Sequence, residues 1–294
     1  MINHYLPILQ ACEPFLIAHH GVQADLNFAP AGLPIPADNV FHPQHMRNGT
    51  FLRLLAQLDT LTFGPFGMNM PSWVFYDCAV MPGAVFGLAV RAHRLPPWAR
   101  ECLHVPADYE GLVPMSQFIA IPVLSGFASG AQTPSTWLMY TLESMNEISP
   151  GIAPHGLLDF TLWLGLQVFP IQELQGTVQW RSPKLATFAN LGPLELLTAL
   201  TPAHSLRRTL TFRLHIRDVH LASVLTSPRN HPDAPPPNAL IDPDDEMALR
   251  QLQLEIESGR RVWVVDHPRA TGCHVRVPVY RELVDPLPNP YQQA

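Results

Sequence analysis

The amino-acid sequence predicts a mixed α/β (α+β) domain in which a largely antiparallel sheet is flanked by helices. Residues 137–143 form a β-prone run, and a glycine- and proline-rich turn at 149–156 separates it from the apolar segment 157–169. That segment is long enough for a buried helix. Two more short strands are predicted at 176–180 and 209–216, so strands and helices alternate through this part of the chain.

The other elements follow from local patterns, taken in chain order. Apolar residues at helical spacing predict a short amphipathic helix within residues 1–20 and a second helix over 51–61. Two β-prone runs around a Met-Pro-Gly turn predict a hairpin over 72–92, and 113–124 has the pattern of another strand. A helix is predicted over 182–191, before the last strand of the domain.

The C-terminal part changes in composition. Residues 227–245 are rich in proline and predict an extended linker. Asp242 then has the position of a helix cap, and Gly259 the position of a helix end. Short strands are predicted at 261–265 and 273–277.

These patterns divide the 294 residues into four segments. We expect an N-terminal covering segment (1–49), an α/β domain (50–226), the proline-rich linker (227–245), and a C-terminal extension of one helix and short strands (246–294). A chain of this length can bury a sizeable core.

The charge balance excludes one class of partner. The formal net charge is −6, and Lys184 is the single lysine. A general nucleic-acid binder needs a basic face, so we expect no nucleic-acid partner. The sequence leaves the oligomeric state open.

Cysteine usage and hydropathy indicate a cytoplasmic protein. The four cysteines are widely spaced and form no Cys-x-x-Cys pair, which is typical of free thiols in a reducing compartment. The N-terminus lacks the basic start of a secretory signal. No segment reaches about eighteen uninterrupted apolar residues, so no membrane association is expected.

The turn that follows the strand at 137–143 carries a family resemblance. Residues 148–153 align with Gln/Arg-x-x-Gly-x-Gly/Ala, the acyl-CoA signature of the GCN5-related N-acetyltransferases (GNAT): Gly151 and Ala153 are present, while Ile148 replaces the leading residue. Segment 139–214 thus resembles the acyl-CoA-binding half of this fold. The resemblance implies an acyl-CoA donor substrate whose pyrophosphate is held by backbone N–H groups of Ser149, Gly151, Ile152, Ala153, His155 and Gly156.

A second landmark of the family is changed in this chain. Family members often carry a tyrosine four residues before a glycine, and this tyrosine protonates the leaving thiolate. Phe188 precedes Gly192 at that spacing. Since phenylalanine has no proton to donate, the general acid that the resemblance implies is missing.

Three residues are candidates for proton transfer to or from the substrate. The family often uses a glutamate near this strand as general base, and Glu143 and Glu147 lie there. On an extended strand, residues four apart project from the same face, so we expect both carboxyls to point together. His204 lies between two predicted strands, where a substrate pocket would open.

Other motifs suggest weaker alternatives. His155 and Asp159 match His-x-x-x-Asp, which resembles the motif of chloramphenicol acetyltransferase and condensation domains, and on one helix they would share a face. Histidines are frequent at His19-His20, His42 and His45, His93 and His104, but no set has a recognised zinc spacing, so no metal is predicted. P-loop, Gly-x-Gly-x-x-Gly and Gly-x-Ser-x-Gly motifs are absent.

The sequence therefore predicts an acyl-CoA-dependent acyltransferase whose acceptor is an amine. One alternative is a non-catalytic GNAT-like protein that binds a small ligand or a protein partner, which the lost tyrosine favours. Another is an unrelated α/β protein with a pocket near Trp137, Trp163 and Trp180.

Overall fold

The computed structural model describes residues 5–19, 23, 26–45, 49–66, 70, 83–123, 136–148, 155–169, 171–201, 208–216, 234–271 and 274–282. The chain divides into two units, Met1–Gln172 and Glu173–Ala294, whereas the segments expected from the sequence end at 49, 226 and 245. Each unit holds strands that pair mostly antiparallel, with helices packed on them, which confirms the predicted fold class.

The described part of the first unit contains a five-stranded sheet with the order β5-β4-β3-β1-β2. Only β1 and β2 run parallel; the other neighbours are antiparallel. The strands are β1 (Glu13–Ala18), β2 (Val40–Phe41), β3 (Ala84–Arg91), β4 (Leu112–Pro122) and β5 (Thr136–Ser144).

Two of the helices in this unit cover opposite faces of the sheet. Ile119 of β4 is buried with Leu55 on one face, and its neighbour Phe118 lies against Gly165 on the other. Adjacent strand residues project to opposite faces, so the apolar run of β4 is buried on both sides. The helices are α1 (Leu6–Ala11), α2 (Thr50–Phe63, with Leu55), α3 (Pro97–Cys102) and α4 (Leu157–Val168, with Gly165).

Most elements predicted for this unit are confirmed, with two exceptions. The helices predicted over 51–61 and 157–169 correspond to α2 and α4, and the strands predicted over 113–124 and 137–143 to β4 and β5. The helix predicted within 1–20 is confirmed for α1 only: the later apolar residues form β1, which lies between two other strands. The first arm of the hairpin lies outside the described residues, and its second arm is β3.

The second unit has seven described strands in the order β11-β12-β10-β7-β8-β6, with β9 paired to β12. The paired strands described in this unit are all antiparallel. The elements are β6 (Glu173–Gln179), α5 (Lys184–Ala189), β7 (Leu194–Thr198), β8 (Thr209–His215), β9 (Ala239–Ile241), α6 (Glu246–Glu257), β10 (Val262–Val264), β11 (Arg269–Thr271) and β12 (His274–Arg281).

Helix α6 begins three residues later than predicted. Asp245 is the N-cap, because its Oδ1 accepts a hydrogen bond from the Ala248 N–H at 3.0 Å. Asp242 instead accepts from the Asp244 N–H at 2.9 Å, so its predicted capping role is wrong. Gly259 ends the helix as predicted, with φ +90°. Among the described helices, none has both the length and the apolar character that crossing a membrane requires.

Candidate functional site

A row of residues crosses four strands of the first unit. Glu143 on β5 pairs with Gln117 on β4, Gln117 with Gly87 on β3, and Gly87 with Phe15 on β1. A Cβ atom on Gly87 would lie 2.5 Å from the Phe15 ring and 2.2 Å from the Ser116 carbonyl oxygen. Glycine is therefore required at this position, because it leaves room for the aromatic ring to lie over β3.

The two polar members of the row bind each other. Gln117 donates a hydrogen bond from Nε2 to Oε1 of Glu143, and both residues have 0% exposure. A carboxyl group inside a protein is costly unless hydrogen bonds replace those that it made with water. The amide of Gln117 supplies one such bond and fixes the orientation of the carboxyl group.

Further polar side chains are buried near this pair on both faces of the sheet: Thr141 shares its face, whereas Ser116 and Ser144 project to the opposite face, towards α4. One atom of the pair, Gln117 Oε1, and two nearby hydroxyl oxygens, Thr141 Oγ1 and Ser144 Oγ, have no hydrogen-bond partner in the described part of the chain. Most buried polar atoms are paired, because each unpaired one costs about 1–3 kcal/mol, so a group of them marks a candidate functional site. We name the following residues the β4–β5 polar cluster: Ser116, Gln117, Thr141, Glu143, Ser144 and Thr161.

A pair of hydroxyl groups fixes helix α4 relative to this cluster. The Oγ atoms of Ser116 and Thr161 lie 2.6 Å apart, and Thr161 Oγ1 donates to the Leu157 carbonyl oxygen at 2.8 Å. Ser116 therefore supplies the proton of the shared bond. Ser116 also pairs with Ser144, the last residue of β5. Consequently, the first turns of α4 lie beside the C-terminal end of β5.

The N-terminus of α4 begins at a glycine. Gly156 is the N-cap with φ +79°, a left-handed conformation that glycine adopts without strain. Asp159 lies in the first turn, and Tyr5 stacks on Phe160 with ring centres 4.7 Å apart. Burial, and then the charge of Asp159, raises the pKa of Tyr5. His155 is exposed and precedes the cap, so the hypothesis that His155 and Asp159 share one helix face is wrong.

The two predicted catalytic glutamates lie in different environments. Glu143 is buried within β5, whereas Glu147 is exposed in the 3-10 turn Met145–Glu147. Because β5 ends at Ser144, the prediction that both carboxyls project from one face of an extended strand is wrong. The predicted site residues that lie outside the described residues are His204, Ser149, Gly151, Ile152 and Ala153.

Several aromatic residues that the sequence analysis selected belong to the core. Phe188 is 1% exposed, and its ring centre lies 5.1 Å from that of Phe212. Trp137 stacks on Phe169, and Trp180 donates from its ring N–H to the Ala199 carbonyl oxygen at 2.8 Å. These contacts give Trp137 and Trp180 a packing role, and neither lines the cavity beside His42 and His45.

The first unit also contains a cavity of about 460 Å³ near three histidines. The ring centres of His19 and His42 are 5.1 Å apart, and those of His42 and His45 are 5.3 Å apart. His42 is buried and His45 exposed. The cavity is lined by Gln23, Phe28, Ile35, Ala37, Val40, His42 and His45.

In the described part of the chain, one set of three side chains has possible metal-binding atoms within 4.8 Å of one another: Asp242, Asp244 and His274. Asp244, however, already forms an ion pair with Arg181, and His274 Nδ1 lies 3.8 Å from Asp242. The Arg181–Asp244 ion pair and the contact between His274 and Asp242 thus engage both carboxylates at the surface without a cation.

Solved structures that resemble this one include acetyltransferases. NAA60 of Arabidopsis thaliana, in complex with a bisubstrate analogue, is 10% identical and aligns over 57% of this chain and 94% of its own, with a TM-score of 0.38. A proposed GNAT-family acetyltransferase from Desulfovibrio desulfuricans is 13% identical over 56% of this chain and 92% of its own, with a TM-score of 0.34. TofI, in complex with an inhibitor and MTA, is 11% identical and aligns over 74% of this chain and 98% of its own, with a TM-score of 0.33.

No protein-family model matches the chain, and no curated protein matches it in sequence. At these identities and TM-scores, structural resemblance assigns neither an activity nor a ligand to this chain. An activity and a ligand have to be inferred from the residues of this chain.

Proposed function

We propose that this chain is an acyltransferase that moves an acyl group from an acyl-CoA donor to an amine acceptor. One observation carries the proposal: the β4–β5 polar cluster, which has Glu143 on the α2 face of the sheet and Ser116, Ser144 and Thr161 on the α4 face, lies at the same end of β5 as the first turns of α4. The reaction needs a group that accepts a proton and a site for the donor's phosphates. A buried carboxyl can accept a proton, and a helix N-terminus can hold phosphates.

The donor's pyrophosphate is assigned to the N-terminus of α4. The free N–H groups and the dipole of a helix N-terminus favour anions, and Gly156 at the cap brings no side chain into the space before the helix. Asp159 adds a negative charge in the first turn, so the phosphates have to be held ahead of Gly156. The proposed cradle consists of Ser149, Gly151, Ile152, Ala153, His155 and Gly156.

Transfer requires a deprotonated amine. The amine nitrogen attacks the thioester carbonyl carbon, the C–S bond breaks, and the thiolate takes up a proton. In the proposal, Glu143 accepts the proton of the amine, oriented by the hydrogen bond from Gln117. Since Glu143 has no exposed surface, a bound water has to relay this proton. Glu147, exposed just after β5, is the second candidate base, and His204 is the third candidate for proton transfer.

Donor binding is tested by calorimetric titration of the full chain with acetyl-CoA and longer acyl-CoAs. Micromolar binding that Gly151→Trp abolishes supports the cradle, because a large side chain would block the approach of the phosphates to the backbone. The matched control is Gly64→Trp, which changes a glycine at the end of α2. A well-folded protein that binds no acyl-CoA overturns the proposal.

The base is tested with a panel of amine acceptors. Glu143→Gln keeps the size of the side chain and removes the proton acceptor, so kcat should fall about 100-fold or more while the Kd for acyl-CoA is unchanged. Glu147→Gln is the matched variant on the exposed turn. If only Glu147→Gln lowers kcat, the base is Glu147 and the buried pair is structural.

A second candidate function is a non-catalytic relative that binds a small ligand or a protein partner. The specific observation in its favour is Phe188, which is buried against Phe212 at the position where the family's acid is expected. This candidate predicts binding of acyl-CoA without transfer to any acceptor. Turnover that depends on Glu143 or Glu147 would exclude it.

A further inference from the structure

Both described helices of the second unit lie against the same face of its sheet. Phe188 of α5 contacts Phe212 of β8, and Glu255 of α6 forms an ion pair with Arg281 of β12. The register of β8, β7, β10 and β12 places Phe212 and Arg281 on one face, because paired residues share a face and adjacent residues of a strand do not. Neither helix covers the opposite face. We name it the open face, and it carries Glu195, Arg213, Trp263 and Tyr280.

Two aromatic residues lie side by side on the open face. Trp263 pairs with Glu195 on one side and with Tyr280 on the other, and the two ring centres are 5.8 Å apart. The guanidinium carbon of Arg261 lies 4.6 Å from the centre of the Trp263 ring. Both aromatic side chains are only half-buried, so a partner can reach them. Tryptophan, tyrosine and arginine most often dominate binding at protein interfaces, so this composition indicates an interaction surface.

Charges of alternating sign form a line across the open face. Arg213 Nε lies 3.9 Å from Oε1 of Glu173 and 4.0 Å from Oε2 of Glu195. Arg261 Nε then bonds Oε1 of Glu195 at 2.9 Å. The order along the line is therefore Glu173, Arg213, Glu195 and Arg261, with two charges of each sign. Because these charges cancel, the line gives no advantage to a polyanion such as nucleic acid.

We propose that the open face is the contact between two copies of this chain related by a two-fold axis. A contact of this symmetry uses the same surface on both copies, so the surface has to complement itself. A line of four charges with alternating sign is complementary to its own reverse. An axis that lies between the two faces and crosses the line at right angles through its midpoint reverses the order, so each arginine faces a glutamate of the second copy. Such complementarity determines the orientation in which two surfaces meet.

The size of the open face suits a weak dimer. It extends over five strands, β6, β8, β7, β10 and β12, which average about six residues in length. At ~4.8 Å between strands and ~3.3 Å per residue, these strands span roughly 500 Å². Two copies would bury about 1,000 Å² in total, which is the lower limit for a specific interface. We therefore expect a dissociation constant in the micromolar range.

The first test is sedimentation equilibrium of the full chain from about 1 to 200 μM, which brackets a micromolar dissociation constant. We expect a monomer–dimer equilibrium. Trp263→Ala should raise the dissociation constant at least about tenfold, because it removes the aromatic anchor in the middle of the face. The matched control is Trp98→Ala, which removes a 49% exposed tryptophan from the first unit and should leave the dissociation constant unchanged. Circular dichroism checks that each variant is folded.

The second test reverses charges in the line. Arg213→Glu makes three of the four charges negative, and Glu195→Arg makes three of them positive, so each variant alone brings like charges together and should not dimerise. A mixture of the two places opposite charges at every position and should form heterodimers, a gain that misfolding cannot explain. A wild type that stays monomeric, a dissociation constant that Trp263→Ala leaves unchanged, or two folded charge variants that do not associate when mixed would each overturn the proposal.

Discussion

Gln117 donates a hydrogen bond to Glu143 across the β4–β5 pair, with both side chains fully buried. The register that aligns them also aligns Gly87 and Phe15 in the next two strands. The antiparallel pairing thus determines which amide meets the carboxyl group. A shift of one residue would move Glu143 opposite a residue that projects to the other face of the sheet.

Removal of the amide should destabilise the protein. We expect Gln117→Leu to lower the free energy of unfolding by about 1.5–3 kcal/mol, because a hydrogen bond to a buried carboxyl is lost. Urea denaturation measures the change. The matched control is Gln175→Leu on β6, where Gln175 Nε2 bonds Glu173 Oε1 at 3.2 Å on a half-buried surface. An equal loss of unfolding free energy in both variants would show that burial does not strengthen the hydrogen bond of Gln117.

Gly87→Ala should be more harmful than its single methyl group suggests. The added Cβ would lie 2.2 Å from the backbone oxygen of Ser116 and 2.5 Å from the Phe15 ring, so β3 and β4 would have to separate. We expect a loss of about 1–3 kcal/mol in the free energy of unfolding. Gly64→Ala is the control, since its Cβ would make only an ordinary 3.6 Å contact with Thr60. Comparable stability of the two variants would contradict the prediction.

Phe188→Tyr should not create the missing general acid. Phe188 is buried against Phe212, so a new hydroxyl group would enter apolar surroundings and cost about 1–3 kcal/mol of stability if it stays unpaired. Thermal unfolding and acyl transfer should both be measured. An increase in the transfer rate would place this residue near the thioester and contradict the packing role.

Long, strongly patterned elements could be predicted from the sequence. The apolar residues of α2 recur at helical spacing, and the continuous apolar run of α4 is long enough for a buried helix. β7 was missed because Leu194–Thr198 is short and leucine-rich, which suits a helix as well as a strand. β1 was missed because its apolar residues continue the pattern of α1, and only pairing with β3 identifies them as a strand.

The candidate site was predictable only in part. The sequence singled out Glu143, but its partner depends on strand register, which a bulge between Ile119 and Ala120 shifts locally. One signal for the partner was available: Ser116 and Gln117 are adjacent polar residues inside an otherwise apolar strand. The end of β5 at Ser144, which separates Glu147 from Glu143, has no comparable signal in the sequence.

The corrected cap of α6 has a measurable consequence. We expect Asp245→Ala to lower the free energy of unfolding by about 1 kcal/mol, because the Ala248 N–H loses its acceptor. Asp242→Ala should cost about 0.5 kcal/mol or less, since Asp242 accepts from the Asp244 N–H and lies 3.8 Å from His274 but caps no helix. Urea denaturation distinguishes the two. A larger loss of stability in Asp242→Ala would show that Asp242 is the N-cap, as the sequence predicts.

Cys12 should make stability fall at alkaline pH. Burial raises the pKa of its thiol to about 12 from the usual 9.0, a change that nearby Arg94 only partly opposes. Below about pH 9 the thiol is protonated in both states, and its contribution to stability is fully present. As the pH rises from about 9 towards 12, the unfolded chain releases the proton first, so this contribution is progressively lost.

The measurement is the free energy of unfolding as a function of pH for the wild type and Cys12→Ala. We expect the alkaline decline to be shallower in the variant, whatever the two proteins' stabilities at neutral pH. Cys102→Ala, at a half-buried thiol on α3, is the control and should keep the decline of the wild type. Tyr5 and Tyr109 also have raised pKa values through burial, so part of the decline should remain in every variant. Parallel curves for the wild type and Cys12→Ala would show that the Cys12 thiol contributes nothing to the alkaline decline in stability.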